Sequence, residues 1–377
     1  MLKDGPKLDE KLIYRIGIGL IKGIGPVLAR NLIAYLGDES AIFKESAASL
    51  AKVPGIGSVL ASAIVNSHVL TRAEEELNFI DKHKIDVLYF TDKRYPVRLQ
   101  VCEDAPLIIY SKGNVDYNGL HTLSVVGTRR PSESGKEICE KLLHELAVLF
   151  PELVVVSGMA YGIDICAHKQ SLKSGLSTIG VLAHGLDMLY PSVHRDVAVQ
   201  MLEKGALVTE FLSQTQPDRQ NFVRRNRIIA GLGDATMVVE SGIKGGALIT
   251  ADIASSYNRD VLAIPGFPGV MTSAGCNFLI KKNVAALVES ADDIVTALGW
   301  EGATVGDVAV QRILFPNFDT PEEQMLFDLL MREHELTSNE LSVKSGVPIS
   351  KVNAIMLKLE FGGWVKTLPG SSFKIIK

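Results

Sequence analysis

The chain has 377 residues, of which 47% are hydrophobic and 22% charged, with a formal net charge of −4. That length allows roughly two to three domains with cores that need no staples, and the mildly acidic total excludes a general polycation, so any nucleic-acid contact has to be a local patch. The four cysteines (Cys102, Cys139, Cys166, Cys276) contain no Cys-x-x-Cys pair, which argues against a disulfide framework or a zinc site and fits a reducing cytosol.

The first ten residues, Met1 to Glu10, are polar and lack the apolar core of a signal peptide. No apolar run approaches the ~20 residues that span a bilayer, so a cytoplasmic protein with no membrane segment is expected. From about Leu8 to Ile80 the chain reads as helical with glycine turns. Two related phrases stand there, Ile21-Lys-Gly23-Ile-Gly25-Pro-Val-Leu-Ala29 and Val53-Pro54-Gly55-Ile56-Gly57-Ser-Val-Leu-Ala61. Each is a glycine turn followed by a small-residue helix, the pattern of a helix–hairpin–helix or SAM-like domain over residues 1–84. Such turns offer backbone N–H groups to nucleic-acid phosphates without reading bases; equally, the pair can pack on itself, since few lysines (Lys22, Lys52) flank it.

Residues 85–299 carry the clearest architecture. Short apolar runs at Thr122–Val126, Leu153–Val156, Thr178–Leu182, Ala206–Thr209, Ala235–Val239, Val261–Ile264 and Val284–Val288 read as strands buried on both faces. Helix-length segments lie between them, including Ser134–Leu149, Ile163–Ser174, Val193–Lys204 and Leu248–Tyr257. This alternation predicts an α/β fold with a Rossmann-like, doubly wound, mainly parallel sheet, which binds ligands at the carboxyl ends of its strands. Glycine-bearing turns fall at those ends: Gly127-Thr128-Arg129-Arg130, Ser157-Gly158, Ala183-His184-Gly185, Gly242-Ile-Lys244-Gly245-Gly246 and Pro265-Gly266. Glycine lets backbone N–H groups approach an anion closely. No Gly-x-Gly-x-x-Gly follows the first strand and no Gly-x-x-x-x-Gly-Lys-Ser/Thr occurs, which argues against a dinucleotide or a magnesium nucleotide.

The stretch Phe222-Val-Arg-Arg-Asn-Arg-Ile-Ile-Ala-Gly-Leu heads an apolar helical pattern with Arg224, Arg225, Asn226 and Arg227, and Arg219 just upstream. Guanidinium forks grip phosphate bidentately, and a helix N-terminus adds free N–H groups. The competing use of such a cluster is internal pairing with carboxylates. Residues 300–320 read as a linker. Residues 321–377 give helices at Leu326–Arg332, Ser338–Ser345 and Ser350–Phe361, followed by a two-stranded pattern punctuated by Gly362-Gly363 and Pro369-Gly370: a winged helix. Lys351 and Lys358 share a face of its third helix. A winged helix docks DNA or protein, and the absence of arginine on that helix favours protein.

No catalytic residue, metal site or cofactor is expected. Asp164 and His168 share a helix face, but a capping aspartate with a packed histidine explains them. His184 and His194 have no partners at ligand spacing, and Ser157 lacks the Gly-x-Ser-x-Gly elbow.

The runs Val126-Gly-Thr-Arg-Arg, Val156-Ser-Gly-Met-Ala-Tyr-Gly-Ile-Asp-Ile-Cys-Ala-His168, Tyr190-Pro191, Thr209-Glu210, Phe222 to Leu232, Gly246-Ala-Leu-Ile-Thr-Ala251, Ile264-Pro-Gly266 and Gly275-Cys-Asn277 together resemble the DNA-processing protein A family (DprA, also called Smf). The resemblance implies a non-enzymatic recombination mediator that binds and protects incoming single-stranded DNA in natural transformation, displaces or bypasses single-strand-binding protein and loads RecA recombinase, as a homodimer built through the Rossmann-like domain. Carried onto this chain, the DNA pocket would comprise Gly127, Thr128, Arg129, Ser157, Gly158, His184, Arg219, Phe222, Arg225, Asn226 and Arg227; Lys244, on the reading of the strand-end turns alone, would add charge. Phe222 would stack a base. The chain departs from the family at Gly245-Gly246-Ala247-Leu248, where Ser-Gly-Ser-Leu is common, and at Val223, where proline is common. With about five phosphate contacts, affinity should fall on the order of a hundredfold between 50 and 200 mM salt, and Ala at Arg225 and Arg227 should flatten that dependence. The enzyme alternative, a nucleotide-processing hydrolase of the Rossmann-like lysine-decarboxylase-like class, would need a third glycine and a glutamate where Gly245-Gly246-Ala-Leu-Ile-Thr-Ala-Asp252 stands.

Overall fold

The structure is a computed structural model that describes residues 10–300, 318, 320–333, 335–361, 364–368 and 371–375. Nine strands build its larger sheet: β1 (Asp86–Tyr89), β2 (Ile108–Gly113), β3 (Thr122–Val126), β4 (Val154–Ser157), β5 (Ser177–Val181), β6 (Gly205–Thr209), β7 (Ala235–Val238), β8 (Asp260–Ala263) and β9 (Ala286–Leu287). Their order is β1-β2-β6-β5-β4-β3-β7-β8-β9. Every neighbouring pair from β6 to β9 is parallel, and β2 runs antiparallel to both β1 and β6.

The central strands have no polar face because helices cover both sides. Leu123, Val125 and Val155 pack with Leu142, Leu146 and Ile163, on the side of helices Glu133–Leu149 and Ile163–Lys173. The alternate residues Val126, Val154 and Val156 pack with Ile228, Ile229 and Ala251, on the side of helices Arg219–Leu232 and Gly246–Ser256. The chain winds outward in both directions from the β3–β7 pair, the switch point at whose carboxyl ends open α/β sheets bind ligands.

Some boundaries differ from the sequence reading. The antiparallel pair β1 and β2 was not among the expected strands. The run Val284–Val288 narrows to the two exposed residues of β9. The segment expected as one helix from Val193 to Lys204 is a 3-10 turn, Ser192–His194, followed by helix Arg195–Met201.

In the N-terminal segment, helices Pro26–Leu36 and Ser58–Val65 each start at an extended glycine, Gly25 and Gly57, with no side-chain cap. The two hairpins interlock reciprocally. A Cβ on Gly23 would stand 2.9 Å from Leu60 Cδ2, and one on Gly55 would stand 2.7 Å from Leu28 Cδ2. Both glycines also have positive φ, 87° and 86°, a conformation glycine adopts without strain. This segment shares one apolar cluster with the sheet, since Ile16, Leu32, Ile56 and Ile64 pack with Tyr89, Ile108 and Tyr110. Buried Glu76 adds a polar tie, accepting from Ser213 N–H at 2.9 Å, Ser213 Oγ at 2.6 Å and Arg72 at 2.8 Å.

The described residues from Phe318 onward form a second compact unit. Helices Pro321–Glu333, Ser338–Ser345 and Ile349–Phe361 accompany β10 (Glu335–Thr337), β11 (Val365–Leu368) and β12 (Ser372–Ile375), paired in the order β10-β12-β11. Three helices with a small antiparallel sheet make the expected winged helix, built on Leu326, Phe327, Leu341, Val352 and Met356. The second helix begins in a capping box between Thr337 and Glu340. Lys351 and Lys358 of the third helix pair with Glu322 and Glu323 of the first, each at 2.7 Å. The residues Gly362-Gly363 and Pro369-Gly370 of the wing, the expected linker 300–320 apart from Trp300, Phe318 and Thr320, and the polar N-terminus 1–9 lie outside the described residues.

Candidate nucleic-acid interface

The rim at the carboxyl ends of β3 and β7 is braced by backbone and buried polar groups. After β3, Thr128 N–H donates to Glu240 O at 2.7 Å, across to the exit of β7, and Ile163 N–H donates to Thr128 O at 3.2 Å. The Glu240 carboxylate is buried and accepts from Ser132 N–H at 2.8 Å. Gly127 fits only because it lacks a side chain: a Cβ there would stand 2.5 Å from Ile163 Cγ1. Ser157, at the end of β4, is fully buried and donates to Val125 O at 2.6 Å.

The arginines of helix Arg219–Leu232 divide into two kinds. Arg225 is 3% exposed. Its Nη1 donates to Gly158 O at 2.6 Å and also to Val181 O, so it joins the ends of β4 and β5. Burial lowers its pKa to about 10, with nearby Asp164 opposing the fall. The same burial raises the Asp164 carboxyl, opposed by Arg225. Arg227 is 7% exposed; it donates to Glu210 at 2.6 Å and to Asp104 O. Arg224 shares the same Glu210 oxygen at 2.6 Å. Arg219 opens the helix in solvent.

His184 is buried with both ring nitrogens engaged. Nδ1 pairs with Gly185 O at 2.9 Å, and Nε2 accepts from Tyr190 N–H at 3.1 Å. An N–H toward the carbonyl and a lone pair toward the amide describe a neutral ring, and burial lowers its pKa accordingly.

Four of the expected DNA contacts lie inside the protein. The Ser157 hydroxyl, the His184 ring and the guanidinium groups of Arg225 and Arg227 are buried and hydrogen-bonded to the protein, so in this structure they support the rim and offer no surface to a ligand. Gly127 and Gly158 contribute close-packed backbone. Arg129, Arg219 and Lys244 are exposed, and Thr128, Phe222 and Asn226 are half-buried. Three of the surface side chains gather. The Arg129 guanidinium carbon lies 5.3 Å from the Phe222 ring centre, and the Tyr190 ring lies 6.0 Å from it at 59°. A cation and two aromatic rings thus share one spot above the ends of β3, β4 and β5. Tyr190, 46% exposed, has no role in the expected pocket; its signal in the sequence is an aromatic residue just past a strand-end glycine turn. Arg130, exposed beside Arg129, was likewise left unassigned.

Asp164 and His168 do not pair. Asp164 accepts weakly from Ala160 N–H at 3.4 Å. His168 Nδ1 meets Thr178 Oγ1 at 2.7 Å, and that hydroxyl donates to Val155 O at 2.9 Å. Burial pushes the His168 pKa down to about 3. The unfolded ring binds a proton below about pH 6.5. Between those values the unfolded state holds one more proton, so stability falls as pH drops, by about 1.4 kcal/mol per pH unit. His168→Gln is expected to make urea stability curves taken from about pH 6 down to pH 4 shallower than the parent's; parallel curves would assign the acid sensitivity to other groups.

Among the described residues no group of three or more His, Cys, Asp or Glu could hold a metal ion, and no helix is long and apolar enough to cross a membrane.

Comparison with known proteins returns two matched segments. The family of DNA recombination-mediator protein A matches residues 86–299, and the DprA winged helix domain matches residues 316–371. A putative DNA processing protein DprA from Mycobacterium tuberculosis is 31% identical over 84% of this chain and 83% of its own length. The crystal structure of DNA processing protein A from Streptococcus pneumoniae superposes with a TM-score of 0.65 at 30% identity, covering 75% of this chain and 97% of that one. DNA processing protein A from Helicobacter pylori, solved for its single-stranded DNA binding mode, superposes with a TM-score of 0.52 at 25% identity over 58% of this chain and 98% of that one.

Proposed function

Because the chain belongs to the DNA recombination-mediator protein A family, we propose that it binds single-stranded DNA along the carboxyl rim of the larger sheet. We include in that reading a non-enzymatic role in natural transformation: a homodimer, joined through its Rossmann-like domain, that relieves the strand of single-strand-binding protein and loads RecA. A part in DNA processing linked to recombination follows from family membership. The finer reading is supported by the order of motifs from Val126 to Asn277 and by the Helicobacter pylori relative's binding mode.

One observation carries it. Arg129, Phe222 and Tyr190 meet at the rim with separations of 5.3 and 6.0 Å. A guanidinium beside partly exposed rings suits a strand whose phosphates and base faces are both accessible, and it is tolerant of sequence.

Among the expected contacts the exposed cations are Arg129, Arg219 and Lys244, fewer phosphate contacts than the sequence suggested. Three contacts give a salt slope of roughly −2 for single strands, which is about a twentyfold loss of affinity between 50 and 200 mM salt. Arg129→Ala and Arg219→Ala are each expected to reduce the slope by about 0.7, read by fluorescence anisotropy of a labelled oligothymidylate. Slopes unchanged in both variants would remove DNA from this rim. Loading is read separately, as RecA filament growth on strands precoated with single-strand-binding protein; no acceleration by the protein would end that part of the reading.

A further inference from the structure

The loop after β8 projects an aromatic side chain that nothing in the fold accounts for. Phe267 is 83% exposed. An isolated exposed leucine or valine is ordinary, but a phenylalanine so fully offered to water, with Val270 and Met271 of the same loop also exposed, marks a binding surface. The exposure is built into the loop. Asn277 clamps the loop's stem, accepting from Gly266 N–H at 3.0 Å and donating to Gly266 O at 2.8 Å. The turn itself is closed by Val270 N–H to Phe267 O at 3.2 Å and Ser273 N–H to Val270 O at 3.3 Å. The ring is therefore held outside a fixed turn.

The loop also belongs to the rim. Gly275 N–H donates to Ser241 O at 2.7 Å, and a Cβ on Gly242 would stand 3.3 Å from Met271 O. The Phe267 loop thus leans on the turn that leaves β7, and that turn carries exposed Lys244. No charged residue occurs from Pro265 to Ser273, so the loop itself carries no carboxylate to repel a phosphate.

We propose that Phe267 is a second base-stacking station for single-stranded DNA, with Lys244 holding a phosphate between it and the Phe222–Tyr190 station. This rests on the single-strand reading of the rim given above. Strand order separates β4 from β8 by three steps, β4-β3-β7-β8, or about 14 Å at the usual spacing of neighbouring strands. A stacked strand advances about 3.4 Å per nucleotide, so the two stations stand about four nucleotide steps apart. An oligonucleotide long enough to bridge them gains a second stacked base; one of about four nucleotides fills a single station.

The test titrates the full chain with oligothymidylates of about 4 and about 16 nucleotides, the range of ordinary single-strand sites. Phe267→Ala is expected to weaken the long oligonucleotide about tenfold, the effect of one lost stacked base, and to leave the short one unchanged. Phe267→Trp restores the long-strand affinity. A long abasic strand, with phosphates but no bases, binds parent and Phe267→Ala alike. Phe222→Ala weakens both lengths. If Phe267→Ala binds the long strand like the parent while Phe222→Ala weakens it, the second station is refuted and the rim reading survives. If neither variant nor the arginine variants above affects binding, the rim reading itself has failed. If Phe267→Ala shifts a dimer to monomer on a sizing column at unchanged affinity per chain, the patch joins two copies of this chain, and the proposal is overturned.

Discussion

Replacing Arg225 by alanine is expected to unfold or severely destabilise the protein, and only through that to abolish DNA binding. The guanidinium is buried among Gly158 O, Val181 O and Asp164. Its removal leaves two strand-end carbonyls without a donor, each worth about 1–3 kcal/mol when orphaned in the interior, and deprives a buried carboxyl of its counter-charge. Two carbonyls orphaned at that rate cost about 2–6 kcal/mol, which shifts the melting temperature by roughly 10 °C for a domain of this size. Thermal unfolding followed by circular dichroism checks it. A variant that melts like the parent yet loses single-strand binding would return Arg225 to the list of direct contacts. Arg129→Ala provides the contrast, because its side chain stands in solvent and should alter binding with little change in melting.

The second large effect is expected at Gly162. Its φ is +83° and its ψ −126°, outside what residues with a Cβ adopt. A Cβ there would stand 2.1 Å from Thr128 O and 2.7 Å from the Arg129 backbone. Backbone atoms of a turn pinned by Glu240 and Ile163 cannot step aside, so strain and overlap add. Gly162→Ala should lower stability by about 3–5 kcal/mol, measured by urea unfolding. Gly246→Ala is the matched control, since nothing lies within 4 Å of its added Cβ. Equal losses at both glycines would show that the turns tolerate movement and that the exit of β3 is not fixed as described.

The central strands were legible because burial on both faces leaves an unbroken signature, as in Leu123-Ser-Val-Val126 and Val154-Val-Val156. The edge pair β1 and β2 was not, because Tyr89, Ile108 and Tyr110 answer to a helical cluster far away in sequence. At the site, composition located the right helix, but charge alone could not tell a phosphate clamp from an internal brace. A finer signal was present. Arg225 shares the 3, 4 and 7 spacing of one helix face with Ile228, Ile229 and Leu232, all buried, so its side chain had to enter the core with them. Arg219 and Phe222 precede that buried run and reach the surface. The two lysines of the winged helix could not be read either, because their glutamates lie about thirty residues upstream and nothing local to the third helix announces them.

The reciprocal seating of Leu60 against Gly23 and Leu28 against Gly55 has a bearing on heredity. Each half holds the notch that the other half's knob fills, and both notches sit at positive φ, where a trimmed knob would leave a bulkier residue's backbone strain in place, so neither glycine can change even when its twin changes with it. A fragment carrying one copy would expose its leucine and leave its notch empty, so the smallest inheritable piece here is the couple.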